Sequence, residues 1–226
     1  MAAIKKSSRW AWFDYLATIL REHAESILLV VALGLLVRWL VVSAFVVRSD
    51  SMAPTLLEGE VVIGYRPPFG LVLPVVGELT TGRAPLPGEL IVSSCPTGLC
   101  LQRVVAVSGD RVEMQRQRLS INGVLCKYQV IADHPHQVEE NCPSFKGAVQ
   151  IDAQWAPESW GPVMVPPNQV FVLNDNRMQL GDSRSWGPLK VEDIQAKAMA
   201  IWLSLNWGAS KDEAWLRPKR SFSRLN

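Results

Sequence analysis

Net charge is nearly absent from this chain of 226 residues: 23 lysines and arginines face 21 acids, leaving +2, and histidine occurs three times. A balance so close to neutral gives no electrostatic footing for nucleic acid, whose binding rests on neutralising phosphates. Cysteine is scarce too, and Cys95, Cys100, Cys126 and Cys142 do not join His134 and His136 in a metal-ligand spacing. No metal or organic cofactor is implied, and no repeat or low-complexity block occurs. All four cysteines follow a long apolar run, which suits an oxidising compartment. Four cysteines permit three pairings. Cys95 with Cys100 would close a small loop around Pro96 and Gly98, and Cys126 with Cys142 would clamp a longer excursion.

The apolar run reads ILLVVALGLLVRWLVVSAFVV from Ile27 to Val47, with Arg38 its one charge. As a helix it would cover ~32 Å, against a hydrocarbon core of ~30 Å. An arginine at the membrane centre costs ~2.5–3.5 kcal/mol, less near an end where it can snorkel. The expected helix therefore starts around Ala24 and reaches the outer interface near Arg38 to Ser43, after which the chain leaves the lipid as a strand. No small-x-small site closes the run, so it is not read as a cleavable leader. Lys5, Lys6, Arg9 and Arg21 against Asp14 give the first 21 residues a net +3, which places them in the cytoplasm. Trp10, Trp12, Phe13 and Tyr15 suit the inner interface. The expected organisation is a cytoplasmic segment 1–23, a transmembrane anchor 24–47, an extracytoplasmic domain 48–208 with an inserted region about 127–165, and a basic tail 209–226. In that tail Lys211, Arg217, Lys219, Arg220 and Arg224 outweigh Asp212 and Glu213, a solvated or lipid-facing pattern.

Beyond the anchor the pattern is mostly β. Glu60 to Ile63, Leu90 to Val92, Leu101 to Val107 and Gln169 to Leu173 are predicted strands. Arg111 to Gln117 and Arg118 to Ile121 suggest a hairpin, followed by the turn signal Asn122-Gly123. Arg66 to Gly88 is rich in proline and glycine and reads as an extended excursion. Residues 133–162 read as a long loop or a small appended hairpin, and Ala196 to Leu205 suits either element.

Ser51 stands where the chain leaves the apolar run, and Pro54 restricts the turn after it. A serine hydroxyl is a weak nucleophile until a base removes its proton. Three ordered blocks surround this one: Ser49-Asp50-Ser51-Met52-Ala53-Pro54-Thr55-Leu56, Leu101 to Asp110, and Asn174-Asp175-Asn176-Arg177 continuing to Gly181-Asp182-Ser183-Arg184-Ser185-Trp186-Gly187. With Pro87 to Val92 and Asn122-Gly123 in order between them, the chain resembles the bacterial type I signal peptidases, membrane-anchored serine-lysine endopeptidases that remove signal peptides from exported proteins.

That resemblance implies a single-pass protein of the bacterial inner membrane, with a signal-peptidase-like β domain outside. Ser51 matches the nucleophile, and Ser49 matches the hydroxyl that assists the oxyanion hole beside the Ser51 amide. Arg103, Asp175, Arg177, Asp182 and Arg184 match a supporting frame that holds the site through paired charges. The pattern breaks at the base. The family's lysine falls at Gln102, the serine that orients it at Leu180, and a glycine at Asn174. A desolvated lysine can lose its proton near neutral pH, whereas glutamine has no comparable titratable nitrogen. Lys127, His134 and His136 are possible replacement bases from the appended region, and nothing in their spacing brings them to Ser51.

The implied partners are signal peptides of exported preproteins, membrane lipid and the export machinery. An extended peptide would lie beside an exposed strand, its small residues entering pockets lined by Met52, Ile63, Leu90, Val92 and Val104. Trp202, Trp207 and Trp215 would seat the domain on lipid. Two functions follow: an endopeptidase that cuts after a small residue through Ser51, or a pseudopeptidase that binds or regulates exported or membrane-bound polypeptides without cutting them.

Overall fold

The apolar run does not remain one element. In the computed structural model, helix α1 (Ala24–Val41) has 18 residues, with Glu25 in its first turn and Arg38 in its last. The next five residues form strand β1 (Val42–Val46) and pair antiparallel with β2 (Glu60–Tyr65), Val46 opposite Val61 and Val42 opposite Tyr65. Apolar β-branched residues suit either environment, and here the cross-strand pairing decides. Eighteen helical residues rise about 27 Å. Among the described residues no helix is long and apolar enough to cross a membrane. The expected transmembrane anchor 24–47, and the single-pass inner-membrane placement built on it, are thereby corrected. The structure describes residues 12, 13, 15, 18, 19, 21–73, 77–80, 82–116, 118–131, 134–151, 159–208 and 214–225, without side chains at 37, 39, 71–80 and 135. Lys5, Lys6, Arg9, Trp10, Asp14, Trp155 and Lys211 to Glu213 lie outside it.

The chain divides into two compact units, Met1–Val41 and Val42–Asn226. The second is mostly β. Its main sheet adds β3 (Leu90–Cys95), β4 (Gly98–Val107), β5 (Gln169–Leu173), β6 (Leu189–Lys190), β7 (Ile194–Ser204) and β8 (Ser223–Arg224). The order is β1-β2-β7-β3-β4-β5-β6, with β8 pairing β7. Ambiguity at Ala196 to Leu205 resolves to strand because β7 pairs on both sides, with β2 and β3. Buried residues of the sheet alternate with exposed ones on β7, where Ile194, Ala196, Ala198 and Ile201 face the interior.

A second sheet carries the expected hairpin, Arg111–Gln115 against Arg118–Ile121, then Val124–Leu125 and Trp160–Met164. Asn122 and Gly123 both take positive φ, 54° and 82°, as a two-residue hairpin turn requires. The inserted region is a three-stranded sheet of Lys127–Ile131, His134–Asn141 and Lys146–Gln150. Disulfides join Cys95 to Cys100 and Cys126 to Cys142, the latter within a core that also holds Val112, Leu119, Phe145, Phe171 and Leu173.

Candidate functional site

Ser51 lies in a single turn of 3-10 helix, Asp50–Met52, that follows β1. Met52 and Leu56 are fully buried with Val47, Val62 and Leu90, so the apolar residues on either side anchor the turn in the core. Asn176 holds the turn from the third sequence block. Its backbone N–H donates to Ser51 O at 3.0 Å and its Nδ2 to Asp50 O at 3.1 Å. Ser49 Oγ donates to Ser51 Oγ at 3.0 Å, so the two serines singled out from the sequence do meet.

Both serines open on a cavity of about 870 Å³. Its walls come from the end of β1, the start of β4 with the Thr97 to Cys100 hairpin tip, and the Asn174 and Gln179 to Gly181 loop. Arg48 is the one charged side chain among the described residues that line it. Gln102 and Leu180 line it, as do Met52 and Val92; Ile63, Leu90 and Val104 do not. Lys127, His134 and His136 are not among its lining residues.

Gln102 sits at 1% exposure on β4. Its Nε2 donates to Asn174 Oδ1 at 3.2 Å and to the Gly181 carbonyl at 3.1 Å. Gly181 takes φ 101°, a conformation that other residues reach only at a cost. Asn174 is fixed in turn, since its Nδ2 donates to the carbonyls of Gln179 and Leu180 at 3.2 and 3.4 Å. That arrangement fixes both amides and leaves Gln102 Oε1 buried without a hydrogen bond. Leu180, expected at an orienting position, is 59% exposed, and its contribution to this network is its backbone carbonyl.

The charged residues stand behind the cavity rather than in it. Arg103 grips Asp175 bidentately, Nε to Oδ1 and Nη2 to Oδ2 both at 2.7 Å, with side chains 2% and 0% exposed. Burial works against the Arg103 charge, but Asp175 outweighs it and the pKa rises above the ordinary arginine value. Asp175 also accepts from Thr55 Oγ1, tying the frame to the serine loop. Arg177 pairs with the fully buried Glu140 at 2.6 Å, and Glu140 accepts from the Tyr128 hydroxyl. Burial and then the Glu140 charge push the Tyr128 hydroxyl up from its usual value. Asp182 receives Arg184 Nε and Nη2 at 2.9 and 2.8 Å and the Asn174 backbone N–H at 3.0 Å. Arg184 Nη1 and Nη2 also reach the carbonyls of Arg177 and Gln179, which braces the 177–181 loop.

Sequence reasoning quoted Asn174 and Asn176 within a block yet gave neither a part in the site. Glu89, Thr55 and Arg220 were missed as well. Glu89 binds Arg83 and Lys197, and Arg220 bridges Glu60 and the Thr55 carbonyl. The signal for Gln102 with Asn174 was present, since both depart from the resembled pattern.

The described lining of the cavity carries three hydroxyls, those of Ser49, Ser51 and Thr97, and no histidine, lysine or carboxylate. The chain belongs to the signal peptidase, peptidase S26 family, whose model matches residues 20–203. Membership brings it among the signal peptidase I serine proteases of protein export. It is 31% identical over 164 residues to signal peptidase I S of Bacillus subtilis, covering 73% of this chain and 78% of that one. Signal peptidase I of Pseudomonas aeruginosa is 26% identical over 243 residues, covering 92% and 78%. Probable signal peptidase I-1 of Synechocystis is 27% identical over 192 residues, covering 84% and 86%.

Proposed function

We propose that this protein binds the signal peptides of exported preproteins in the Ser51 cavity and does not cut them unaided. Its relatives are signal peptidases, and the cavity of about 870 Å³ beside Ser51 is where an extended peptide would lie. Ser51 and Ser49 stand for the nucleophile and its oxyanion helper, while Arg103, Asp175, Arg177, Asp182 and Arg184 hold the surrounding loops. The observation that carries the reading is the buried Gln102 amide, bonded to Asn174 and Gly181 at the position where a base is expected. An amide cannot take the Ser51 proton near neutral pH, and a missing general base removes ~10²–10⁴ in rate.

The test is a fluorescent signal peptide titrated against the purified full chain, with mass spectrometry for products. Saturable binding without a product, retained in Ser51→Ala, is expected. Cleavage after a small residue that disappears in Ser51→Ala overturns the reading in favour of an endopeptidase. The retained Ser49–Ser51 hydroxyl pair favours one second reading, in which another molecule brings the base. A product that forms only when a second protein is added would establish it.

A further inference from the structure

Resting on the peptide-binding reading above, we propose that Arg48 makes the Ser51 cavity selective for peptides that carry a carboxylate, on an acidic side chain or at a free C-terminus. The residue before it is fixed. Val47 N–H donates to Glu60 O at 2.8 Å, the Val47 carbonyl accepts from Gly59 N–H at 3.0 Å, and its side chain is buried in the core with Met52. Val46 and Arg48, on either side, are exposed, as alternation along an extended segment requires. Arg48 thus stands just past the paired end of β1, within reach of solvent and of anything that enters the cavity it lines.

Its charge is uncommitted. Arg103, Arg177 and Arg184 each grip a buried carboxylate, whereas among the described residues no acid pairs with Arg48. Asp50, two residues on, does not line the cavity. No carboxylate, histidine or lysine shares the described lining, so one unneutralised cation sets the sign of the field there. A peptide offers one common anion, the carboxylate, and the planar guanidinium fork matches it with two parallel N–H donors. Val46, Leu99 and Leu180 are exposed apolar residues of the same lining. A peptide laid over them displaces water and lowers the screening around the pair. Lysine in the ligand is disfavoured by the same charge.

The experiment measures Kd for the purified full chain with fluorescent signal peptides made as matched twins. In one set each of the last four residues before the expected cut is aspartate or asparagine, on an amidated peptide. In the other the peptide ends at the cut as free acid or as amide. One carboxylate twin is expected to bind about 5-fold more tightly than its amide partner, the upper end for an exposed pair, and the ratio should shrink from about 0.05 to 0.5 M salt. A preference within the first set assigns the carboxylate to a side chain, and one within the second assigns it to the terminus. Arg48→Gln should bring the ratio near one and Arg48→Glu should reverse it, a reversal that loss of fold cannot produce. Equal binding of every wild-type twin pair, or a preference that survives Arg48→Gln, overturns this inference and leaves peptide binding intact. Absence of binding by every peptide overturns both.

Discussion

Gln102 and Asn174, 72 residues apart in sequence, form a side-chain amide pair at 3.2 Å in the wall of the serine cavity. The pair has a direct consequence for restoring a base. A lysine ammonium built at 102 would meet the same two oxygens, Asn174 Oδ1 and Gly181 O, and bonds to the charged form hold a lysine protonated. Gln102→Lys alone is therefore expected to give no detectable cleavage. Gln102→Lys with Leu180→Ser should do no better, since position 180 is 59% exposed. Adding Asn174→Gly removes one acceptor and should give the largest gain of the series. Product formation from a signal peptide across pH 6–10, taken as about the range where a perturbed lysine titrates, checks the order.

Arg103→Leu should be severely destabilising. It leaves the Asp175 carboxylate, 0% exposed, with Thr55 as its remaining side-chain partner. Breaking a buried pair from one side costs about 3–5 kcal/mol. Chemical denaturation of Arg103→Leu beside the double replacement Arg103→Leu with Asp175→Leu measures it, and the double variant should recover part of the loss.

Glu89 supplies an acid-sensitive element. Burial alone would raise its pKa, but hydrogen bonds from Arg83, Lys197 and the Leu86 amide override that and lower it to about 2. The folded state thus favours the carboxylate. Its contribution is complete above the ordinary glutamate value of about 4.3 and disappears as pH falls from there toward 2. Thermal unfolding followed from pH 6 to 2, about the span that brackets both values, should show a steeper decline for the wild type than for Glu89→Gln.

Arg220 lies beyond the family match, which ends at 203, yet reaches back to the loop that follows Ser51. Its guanidinium donates to Glu60 at 2.6 Å and to the Thr55 carbonyl at 2.8 Å. Arg220→Gln strips the buried Glu60 of its cation, at a cost of about 1–3 kcal/mol, and frees the loop. Stability and peptide affinity should fall together, with Arg220→Lys recovering only part because it cannot bridge both partners. Denaturant midpoints and peptide titrations of the three proteins decide it.

Local chemistry was legible in the sequence. Asn122-Gly123 announced its hairpin because the turn needs two positive φ values. The strands around Glu60, Leu101 and Gln169 followed from β-branched residues bounded by turns. A strand leaving the apolar run near Ser43 was expected, but its start at Val42 was not legible: a uniformly apolar run has no period, and the pairing with β2 sets where the helix ends. Pattern matching found Gln102 and Leu180 as departures but did not show that the backbone carbonyls of 179–181 hold the Gln102 and Asn174 amides. Asn174 as the partner of Gln102 depends on β4 and β5 lying side by side, which no spacing along the chain reveals.

The lining of the Ser51 cavity also governs how the protein responds to acidity. Hydroxyl, amide, disulfide, aromatic and aliphatic groups dominate its described walls, and no histidine, lysine or carboxylate is among them. No proton has to be gained or lost there for a chain to settle in. A ligand without ionising groups of its own should consequently be retained equally well in mildly acid and mildly alkaline surroundings, a proton-blind grip where a lysine-based pocket would switch.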